Sequence, residues 1–165
     1  MPVKARAVKF GDNVDTDVIL PGKYLVLTDP VELAKHAMEG LSPDFPSKSV
    51  NGVIIIAGEN FGQGSSREQA PVALKAAGVR CVIAQSFARI FYRNAINIGL
   101  PALECRDIPR EANEGDDLSI DVERGEVRNL TTGATLRAEP IPSNLLQVLS
   151  DDGIIQHLKK KRAHQ

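Results

Sequence analysis

One stretch decides how this chain is interpreted: Gly58-Glu59-Asn60-Phe61-Gly62-Gln63-Gly64-Ser65-Ser66-Arg67-Glu68-Gln69-Ala70. It follows the strand-like run Val53-Ile54-Ile55-Ile56-Ala57 and leads into a helical pattern that ends near Ala77. A glycine-rich loop lets backbone N–H groups approach an anion closely, and the positive end of the following helix adds to the attraction. Arg67 contributes a planar, permanently charged fork that suits a carboxylate or a phosphate. The stretch therefore predicts a small-anion site.

A structural role for the same residues stays open at this point. Ser65 and Ser66 are both suited to cap the helix, and Ser65-x-x-Glu68 has the spacing of a capping box. The common phosphate motifs do not fit: the loop lacks the Gly-Lys-Ser/Thr ending of a P-loop and the G-x-G-x-x-G spacing of a dinucleotide fold. It also lacks the G-x-S-x-G of a nucleophile elbow.

The first two thirds of the chain alternate between strand and helix patterns. Continuous β-branched runs predict strands that are buried on both faces, and glycines mark the ends of the helices between them. The predicted strands are residues 5–10, 53–57, 79–84 and 101–104, the predicted helices are 29–38, 69–77 and 87–98, and the predicted loops are 11–17 and 41–51. Ser86 is the expected cap of the third helix. This order is typical of right-handed parallel crossovers in an α/β domain.

The last third of the chain has a different character. Alternating residues predict a β-hairpin of strands 118–122 and 126–130, with Arg124-Gly125 as the turn, and a further strand at 135–138. A helical pattern returns at 143–161 and is interrupted near Asp151-Asp152-Gly153. No internal repeat or linker separates the two parts, so we expect residues 1–165 to form a single domain.

Composition and charge exclude several classes of protein. The chain has 165 residues, 42% of them hydrophobic and 25% charged, with a formal net charge of -1. These values are ordinary for one globular domain and give no bulk attraction to nucleic acid or to a membrane. The N-terminus does not resemble a signal peptide, and no apolar run reaches transmembrane length. We therefore expect a cytoplasmic protein.

The metal-binding residue types are few and scattered. The two cysteines, Cys81 and Cys105, lie in apolar or strand-like contexts and form no C-x-x-C motif. The three histidines, His36, His157 and His164, show no metal-ligand spacing. We therefore expect no disulfide and no metal held by this chain.

Four motifs, in order, carry a resemblance to a known family. They are Gly11-Asp12-Asn13-Val14-Asp15-Thr16-Asp17-Val18-Ile19, the central stretch Gly62 to Ala70, Gln85-Ser86-Phe87-Ala88-Arg89-Ile90-Phe91, and Asn94-Ala95-Ile96-Asn97-Ile98-Gly99-Leu100-Pro101. Together they span about residues 6–108 and resemble the swivelling domain of the aconitase superfamily, which in some members is a separate small subunit. The likeness is strongest to the small subunits of isopropylmalate isomerases.

The resemblance implies both a fold and an activity. The implied fold is a three-layer β/β/α aconitase-like swivelling domain, here with an appended β-hairpin and a C-terminal helix. The implied activity is that of a hydro-lyase, which converts 2-isopropylmalate to 3-isopropylmalate in leucine biosynthesis by dehydration and rehydration. A [4Fe–4S] cluster, acting as a Lewis acid on the leaving hydroxyl, is expected in a separate large subunit, because this chain lacks enough cysteines to hold it.

The resemblance also assigns roles to individual residues. It implies that Ser65 is the base that removes a proton from the carbon next to a carboxylate. It implies that Ser66 and Arg67, with Gly64 beside them, bind the substrate carboxylate. Asp17 corresponds to an aspartate that faces a histidine of the cluster-bearing part, whereas Asp15 is expected to hold its own loop. An N-cap at Ser65 and turn-forming aspartates are the alternatives.

Two further regions bear on substrate choice and on packing. The loop Pro21-Gly22-Lys23-Tyr24-Leu25-Val26-Leu27-Thr28 is apolar at Val26 and Leu27, and relatives that accept an extra carboxylate tend to carry an arginine where Val26 stands. The apolar wall suits an isopropyl group, although core packing before a helix would explain it too. Homoaconitase and methylmalate or dimethylmalate dehydratase stay open as alternatives, as does a non-catalytic anion-binding module. For Arg89 and Arg93 we expect a role in helix or interface packing.

Overall fold

A curled seven-stranded sheet forms the centre of the molecule. The computed structural model describes residues 2–164. The strands are β1 (Val3–Lys9), β2 (Val53–Ala57), β3 (Val79–Ala84), β4 (Ala102–Glu104), β5 (Asp117–Asp121), β6 (Glu126–Asn129) and β7 (Thr135–Arg137). Their order in the sheet is β4-β3-β2-β1-β5-β6-β7. The half from β4 to β1 is parallel, and β5, β6 and β7 extend it in antiparallel fashion.

Short and medium-length helices connect and cover these strands. They are α1 (Thr16–Ile19), α2 (Pro30–Ala34), α3 (Phe45–Ser49), α4 (Gln69–Ala77), α5 (Arg89–Asn97), α6 (Ile108–Glu111), α7 (Ser143–Ser150) and α8 (Ile154–Ala163), with a 3₁₀ turn at Gly22–Tyr24. The predicted interruption of the last helix is confirmed, because Gly153 separates α7 from α8 with a φ of 114° that favours glycine. No helix among residues 2–164 has both the length and the apolarity needed to cross a bilayer.

The core lies around the two central parallel strands. All five residues of β2 are buried, and β3 is buried except at Arg80. Burial on both faces explains their continuous β-branched sequences. Helix α4 buries Ala70, Ala73 and Leu74 in this core. The rigid centre therefore fixes where the loops after β2 and β3 emerge.

Several local predictions are wrong, and each has a physical reason. The segment 41–51, expected to be a loop, contains α3, because Pro46 is tolerated in the first turn of a helix and Phe45 anchors that turn in the core. The predicted helix 29–38 is regular only over α2, where Asp29 is the N-cap and accepts a hydrogen bond from Val31 N–H. Helices α1 and α6 were not predicted, since each has only four residues.

The expected cap of the helix after β3 is also wrong. Helix α5 begins at Arg89 after Ala88, and its N-cap position has no side-chain hydrogen bond. The hydroxyl of Ser86 instead accepts a hydrogen bond from Asn60 N–H at 2.9 Å. The serine thus joins the loops after β2 and β3, which are the two loops that frame the candidate site.

Candidate functional site

The glycine-rich stretch lies at the carboxyl end of β2, beside the loop that follows β1. Gly62 N–H donates to Val14 C=O, and Thr16 N–H donates to Gln63 C=O, both at 2.8 Å. Asp15 and Gln63 form an isolated parallel bridge. Because parallel strands end at the same edge, two motifs that lie far apart in sequence are brought side by side.

Two glycines of the stretch are required by their surroundings. Gly62 has a φ of 86°, and a Cβ there would come within 2.2 Å of the Phe91 ring. Gly64 has a φ of 101°, and a Cβ would lie 2.7 Å from Asp15 Oδ1. Asp15 meanwhile caps α1 by accepting from Asp17 N–H at 2.7 Å, which confirms its predicted loop-holding role. The glycines therefore let the stretch approach both α1 and α5 closely.

The two serines do not cap the following helix. The N-cap of α4 is Glu68, which makes no side-chain cap bond, so the alternative of a capping box at Ser65 and Glu68 is excluded. Ser65 and Ser66 are both exposed, and neither hydroxyl has a hydrogen-bond partner within residues 2–164. Ser65 is held through its backbone instead, since its C=O accepts from Thr16 Oγ1 at 3.0 Å. Both hydroxyl groups are therefore available to a ligand.

The backbone of the same segment carries unpaired donors. Within the described part of the chain, the N–H groups of Gly64, Ser65, Ser66 and Arg67 donate no hydrogen bond. Successive free N–H groups on a loop create a concave site of positive potential, which stabilises bound anions and developing negative charge. This feature agrees with the small-anion site that the sequence predicts.

Arg67 is the most constrained charged residue of the site. Its Nη1 donates to Asp17 Oδ1 at 2.7 Å and to Leu20 C=O at 2.9 Å, and its side chain is only 16% exposed. Nε and Nη2 have no partner within residues 2–164, so one edge of the guanidinium remains free for a carboxylate. The hydrogen bond from Arg67, followed by one from Gly22 N–H, lowers the pKa of Asp17 below its usual value, so Asp17 remains ionised at neutral pH.

The loop around Val26 is exposed where it was expected to meet substrate. Val26 is 84% exposed, which excludes core packing for this side chain. Leu27 is half-buried and packs against the core, as the alternative interpretation of the loop proposed. The loop is braced because Gln69 Nε2 donates to Leu25 C=O at 3.3 Å and the Tyr24 ring stacks on His36 at 3.6 Å.

A cleft of about 190 Å³ gathers some of these residues. One wall is the glycine-rich stretch and the other is the beginning of α5, and the lining residues are Thr16, Gly62, Gly64, Ser65, Ser66, Arg67, Ala88, Arg89, Ile90, Phe91 and Asn94. Asp17 reaches the cleft only through Arg67, and Val26 and Leu27 do not line it. Sequence reasoning assigned Arg89 to packing and missed its place in the cleft, although its position in the third family motif was a signal.

The cysteines and histidines do not assemble into a metal site. Among residues 2–164, no group of three or more His, Cys, Asp or Glu side chains is placed to hold a metal ion. Cys81 and Cys105 are both buried, and burial raises the pKa of each thiol, which disfavours the thiolate that an iron–sulfur cluster requires. The residues within 2–164 therefore do not fit such a cluster.

Comparison with known proteins identifies a matching family and similar proteins. A family model described as the aconitase C-terminal domain matches residues 22–107. The chain is 56% identical over 161 residues to the isopropylmalate/citramalate isomerase small subunit of Methanocaldococcus jannaschii, covering 98% of this chain and 96% of that protein. It is 52% identical over 161 residues to the 3-isopropylmalate dehydratase small subunit of Pyrobaculum calidifontis, covering 98% and 99% respectively.

The fold agrees with a solved structure as well. A crystal structure of a 3-isopropylmalate dehydratase from Methanocaldococcus jannaschii superposes with a TM-score of 0.95 at 47% identity, covering 100% of this chain and 98% of that one. The match confirms the predicted aconitase-like α/β fold class. The chain therefore belongs to the aconitase C-terminal domain family, among the small subunits of 3-isopropylmalate dehydratases.

Proposed function

We propose that this chain is the small subunit of a hydro-lyase that converts 2-isopropylmalate to 3-isopropylmalate in leucine biosynthesis, by dehydration and rehydration. The names of the relatives support this assignment. One observation of the site carries it further: the free hydroxyl of Ser65, the unpaired N–H groups beside it and the free edge of Arg67 belong to one cleft. We further propose that residues 1–165 act as one domain in the cytoplasm.

Ser65 is the proposed base of the reaction. A serine hydroxyl must lose its proton to remove one from carbon, so the resulting alkoxide needs stabilisation. The N–H groups of the loop and the Arg67 guanidinium supply positive potential at that point. Because Ser65 Oγ has no capping bond to give up, its alkoxide form is free to accept the proton from the carbon next to a substrate carboxylate, and it becomes the neutral hydroxyl as that C–H bond breaks.

Arg67, Ser66 and Gly64 are the proposed carboxylate clamp. The Nε and Nη2 edge of Arg67 has the geometry to bind both oxygens of one carboxylate, and its Nη1 is fixed by Asp17 and Leu20 C=O. Ser66 contributes a hydroxyl, and Gly64 contributes an N–H on a backbone that only glycine adopts readily here. A guanidinium that is already anchored loses little freedom when it binds substrate.

Asp17 is proposed to act beside the clamp. In this chain it orients Arg67, and its side chain remains 65% exposed, so the carboxylate is also open to a group from outside the chain. We propose that this outside group is a histidine of the large subunit. Asp17 would then couple the arrangement of the clamp to the assembly of the two subunits.

The loop of Val26 and Leu27 is the proposed specificity element. Leu27 anchors the loop against the core, and Val26 presents an apolar surface that nothing in residues 2–164 covers. A substrate isopropyl group and the large subunit together would bury that surface. A carboxylate brought to the same place would lose its hydration without gaining a partner, so the loop disfavours more acidic substrates.

The large subunit completes the enzyme in this proposal. The small-subunit names of the relatives imply such a partner, and we propose that the partner holds the [4Fe–4S] cluster, because the residues of this chain do not fit one. Reconstitution of the isolated chain with iron and sulfide under anaerobic conditions is expected to leave it colourless. A stoichiometric charge-transfer absorbance would contradict this division of labour.

A second candidate is isomerisation of citramalate, which is 2-methylmalate. The name of the Methanocaldococcus jannaschii relative, which includes citramalate, favours it. A methyl group would also be accepted by the apolar loop, but it would leave more of Val26 uncovered than an isopropyl group does. The homoaconitase alternative is disfavoured, since its substrate carries a further carboxylate toward a loop whose only cation is Lys23.

The test is activity of the assembled complex. The chain and its large subunit, mixed anaerobically, are expected to turn over 2-isopropylmalate with appearance of the unsaturated intermediate in the ultraviolet, while each subunit alone stays inactive. Ratios of kcat/KM for 2-isopropylmalate, citramalate and homocitrate then rank the candidates. Turnover by the isolated chain, or a complex that binds small anions without turning over any of the three, would overturn the proposal.

A further inference from the structure

The cleft contains a second cation, Arg89, besides Arg67. Arg89 is the first residue of α5, is exposed, and lines the cleft opposite the glycine-rich stretch. Its guanidinium makes no ion pair and no hydrogen bond with any residue of the range 2–164. An arginine that is left without a partner on the wall of a ligand cleft is available to bind what enters it.

The electrostatic balance of the cleft favours a ligand with more than one negative charge. Its lining contains two arginines, Arg67 and Arg89, and no carboxylate side chain. Asp17 neutralises only the Nη1 side of Arg67, from outside the lining. Unpaired backbone N–H groups of the stretch add to the positive potential on the Arg67 wall. Positive charge is thus present on both walls of the cleft.

The proposed substrate needs two positive contacts and the free edge of Arg67 supplies one. A malate derivative carries two carboxylates on neighbouring carbons, and a single guanidinium edge binds one of them in bidentate fashion. The second carboxylate would be costly to desolvate without a partner of its own. Since α5 places Arg89 across the cleft from Arg67, it is positioned to meet that second carboxylate.

We propose that Arg89 is a second substrate-binding arginine, which holds the carboxylate that Arg67 does not. The inference rests on the proposed function, because it assigns the two charges of that dicarboxylate substrate to two residues. It replaces the packing role that the sequence suggested for Arg89. It leaves Arg93, which lies one turn further along α5, is exposed and does not line the cleft, in that packing role.

The chain offers a matched control for the test. Arg89→Gln and Arg93→Gln remove the same charge from the same helix, so their effects on fold and net charge are alike. In the assembled complex, Arg89→Gln is expected to lower kcat/KM for 2-isopropylmalate about tenfold to a hundredfold, as loss of a charge-assisted hydrogen bond predicts. Arg93→Gln is expected to stay within about twofold of wild type. Arg89→Lys keeps the charge but loses the planar guanidinium, so its kcat/KM should lie between those of the two glutamine variants.

Inhibitors separate a binding role from a structural one. Isopropylsuccinate keeps both carboxylates of the substrate, whereas 4-methylpentanoate and 2,3-dimethylbutanoate each keep one of the two. Arg89→Gln should weaken inhibition by isopropylsuccinate about tenfold or more. Inhibition by the tighter-binding of the two monocarboxylates should stay unchanged, because Arg67 holds that compound. A structural defect in α5 would weaken all three inhibitors together.

Each outcome decides a distinct point. An active wild-type complex in which Arg89→Gln and Arg93→Gln behave alike overturns the role of Arg89 and leaves the proposed function intact. Equal weakening of all three inhibitors, or weaker association with the large subunit without a selective loss for the dicarboxylate, also overturns it by making Arg89 a structural or interface residue. A wild-type complex that turns over no malate derivative overturns the proposed function, and the assignment of Arg89 with it.

Discussion

The two ends of the parallel strands contain similar residue types, but these residues are hydrogen-bonded differently. At the amino-terminal end, the beginnings of β1 to β4 surround a broad cavity of about 730 Å³. At the carboxyl end lies the smaller cleft of about 190 Å³. Both ends combine glycines with basic side chains. Size alone would assign function to the larger cavity. The hydrogen bonding of the lining groups favours the smaller cleft instead.

The difference lies in which polar groups are already satisfied. At the amino-terminal end, Gly78 is the C-cap of α4 and donates to backbone carbonyls, Lys75 binds Ile98 C=O and Asp152, and Arg80 donates to Lys4 C=O. At the carboxyl end, the stretch from Gly64 to Arg67 leaves its N–H groups unpaired. Helices present C-termini to the first end and N-termini to the second, so the helix dipoles favour an anion at the second end and disfavour one at the first.

The largest expected effect is at Ser65. Ser65→Ala removes the proposed base, and general-base catalysis contributes about a hundredfold to ten-thousandfold, so turnover of the assembled complex should fall by at least about a hundredfold. Because the hydroxyl makes no bond within residues 2–164, unfolding free energy should change by less than about 0.5 kcal/mol. Steady-state rates and thermal melts of the same preparation measure the two quantities.

A serine at the opposite end provides the control. The buried Ser49 hydroxyl donates to Ala77 C=O at 2.6 Å, so Ser49→Ala should cost about 1 kcal/mol in unfolding free energy and leave kcat unchanged. Ser65→Ala would then lose activity and keep its stability, whereas Ser49→Ala would lose stability and keep its activity. Wild-type turnover in Ser65→Ala would end the proposal that Ser65 is the base.

The next effect in size is at Arg67. Arg67→Lys keeps the positive charge but cannot hold Asp17, Leu20 C=O and a bidentate carboxylate at once, so kcat/KM should drop about tenfold to a hundredfold. Loss of the hydrogen bond that depresses the pKa of Asp17 should also let that pKa rise toward its usual value, which NMR titration measures. Arg110→Lys, at an exposed surface ion pair with Asp107, should leave kinetics unaltered. If the two variants have the same kcat/KM, Arg67 does not bind substrate.

A smaller effect concerns substrate preference. Val26→Arg places a cation on the exposed loop that we propose lies beside the substrate's variable group. The ratio of kcat/KM should therefore move toward homocitrate and away from 2-isopropylmalate by about tenfold. Val31→Arg, at another exposed valine in α2, is the matched control and should not change the ratio. A ratio that stays constant, or moves toward 2-isopropylmalate, would mean that the loop does not contact the variable group.

The sequence predicted the centre of the fold better than its edges. The strands β2 and β3 and the helix α4 lie where apolar runs and glycine stops placed them, because burial dictates those residue types. Local polar contacts were harder to predict: Ser65 and Ser66 have cap spacing but do not cap α4, and Ser86 bonds Asn60 instead of capping α5. Nothing in the spacing of serines distinguishes these alternatives, since tertiary contacts decide them.

The candidate site was predictable only where motifs define it. Ser65 and Arg67 follow from the glycine-rich stretch, but the contact of Arg67 with Asp17 joins residues 50 positions apart. The exposure of Val26 and the place of Arg89 in the cleft likewise depend on how loops meet at the sheet edge. Residue type alone allowed core packing for Val26, which its exposure excludes, and it gave no sign that Arg89 lines the cleft.

The smallest expected effect tests the amino-terminal cavity directly. Lys75→Met keeps the aliphatic stem but removes the hydrogen bond to Ile98 C=O at 2.8 Å and the ion pair with the exposed Asp152. Such partly exposed contacts contribute up to about 1 kcal/mol, so the melting temperature should fall by about 2–4 °C. Activity and the KM for 2-isopropylmalate should not change, because Lys75 binds the C-terminal end of α5 and Asp152, and so is already occupied. A tenfold loss of kcat/KM in a variant of normal stability would contradict that view. It would show that the larger cavity takes part in function although Lys75 is already paired.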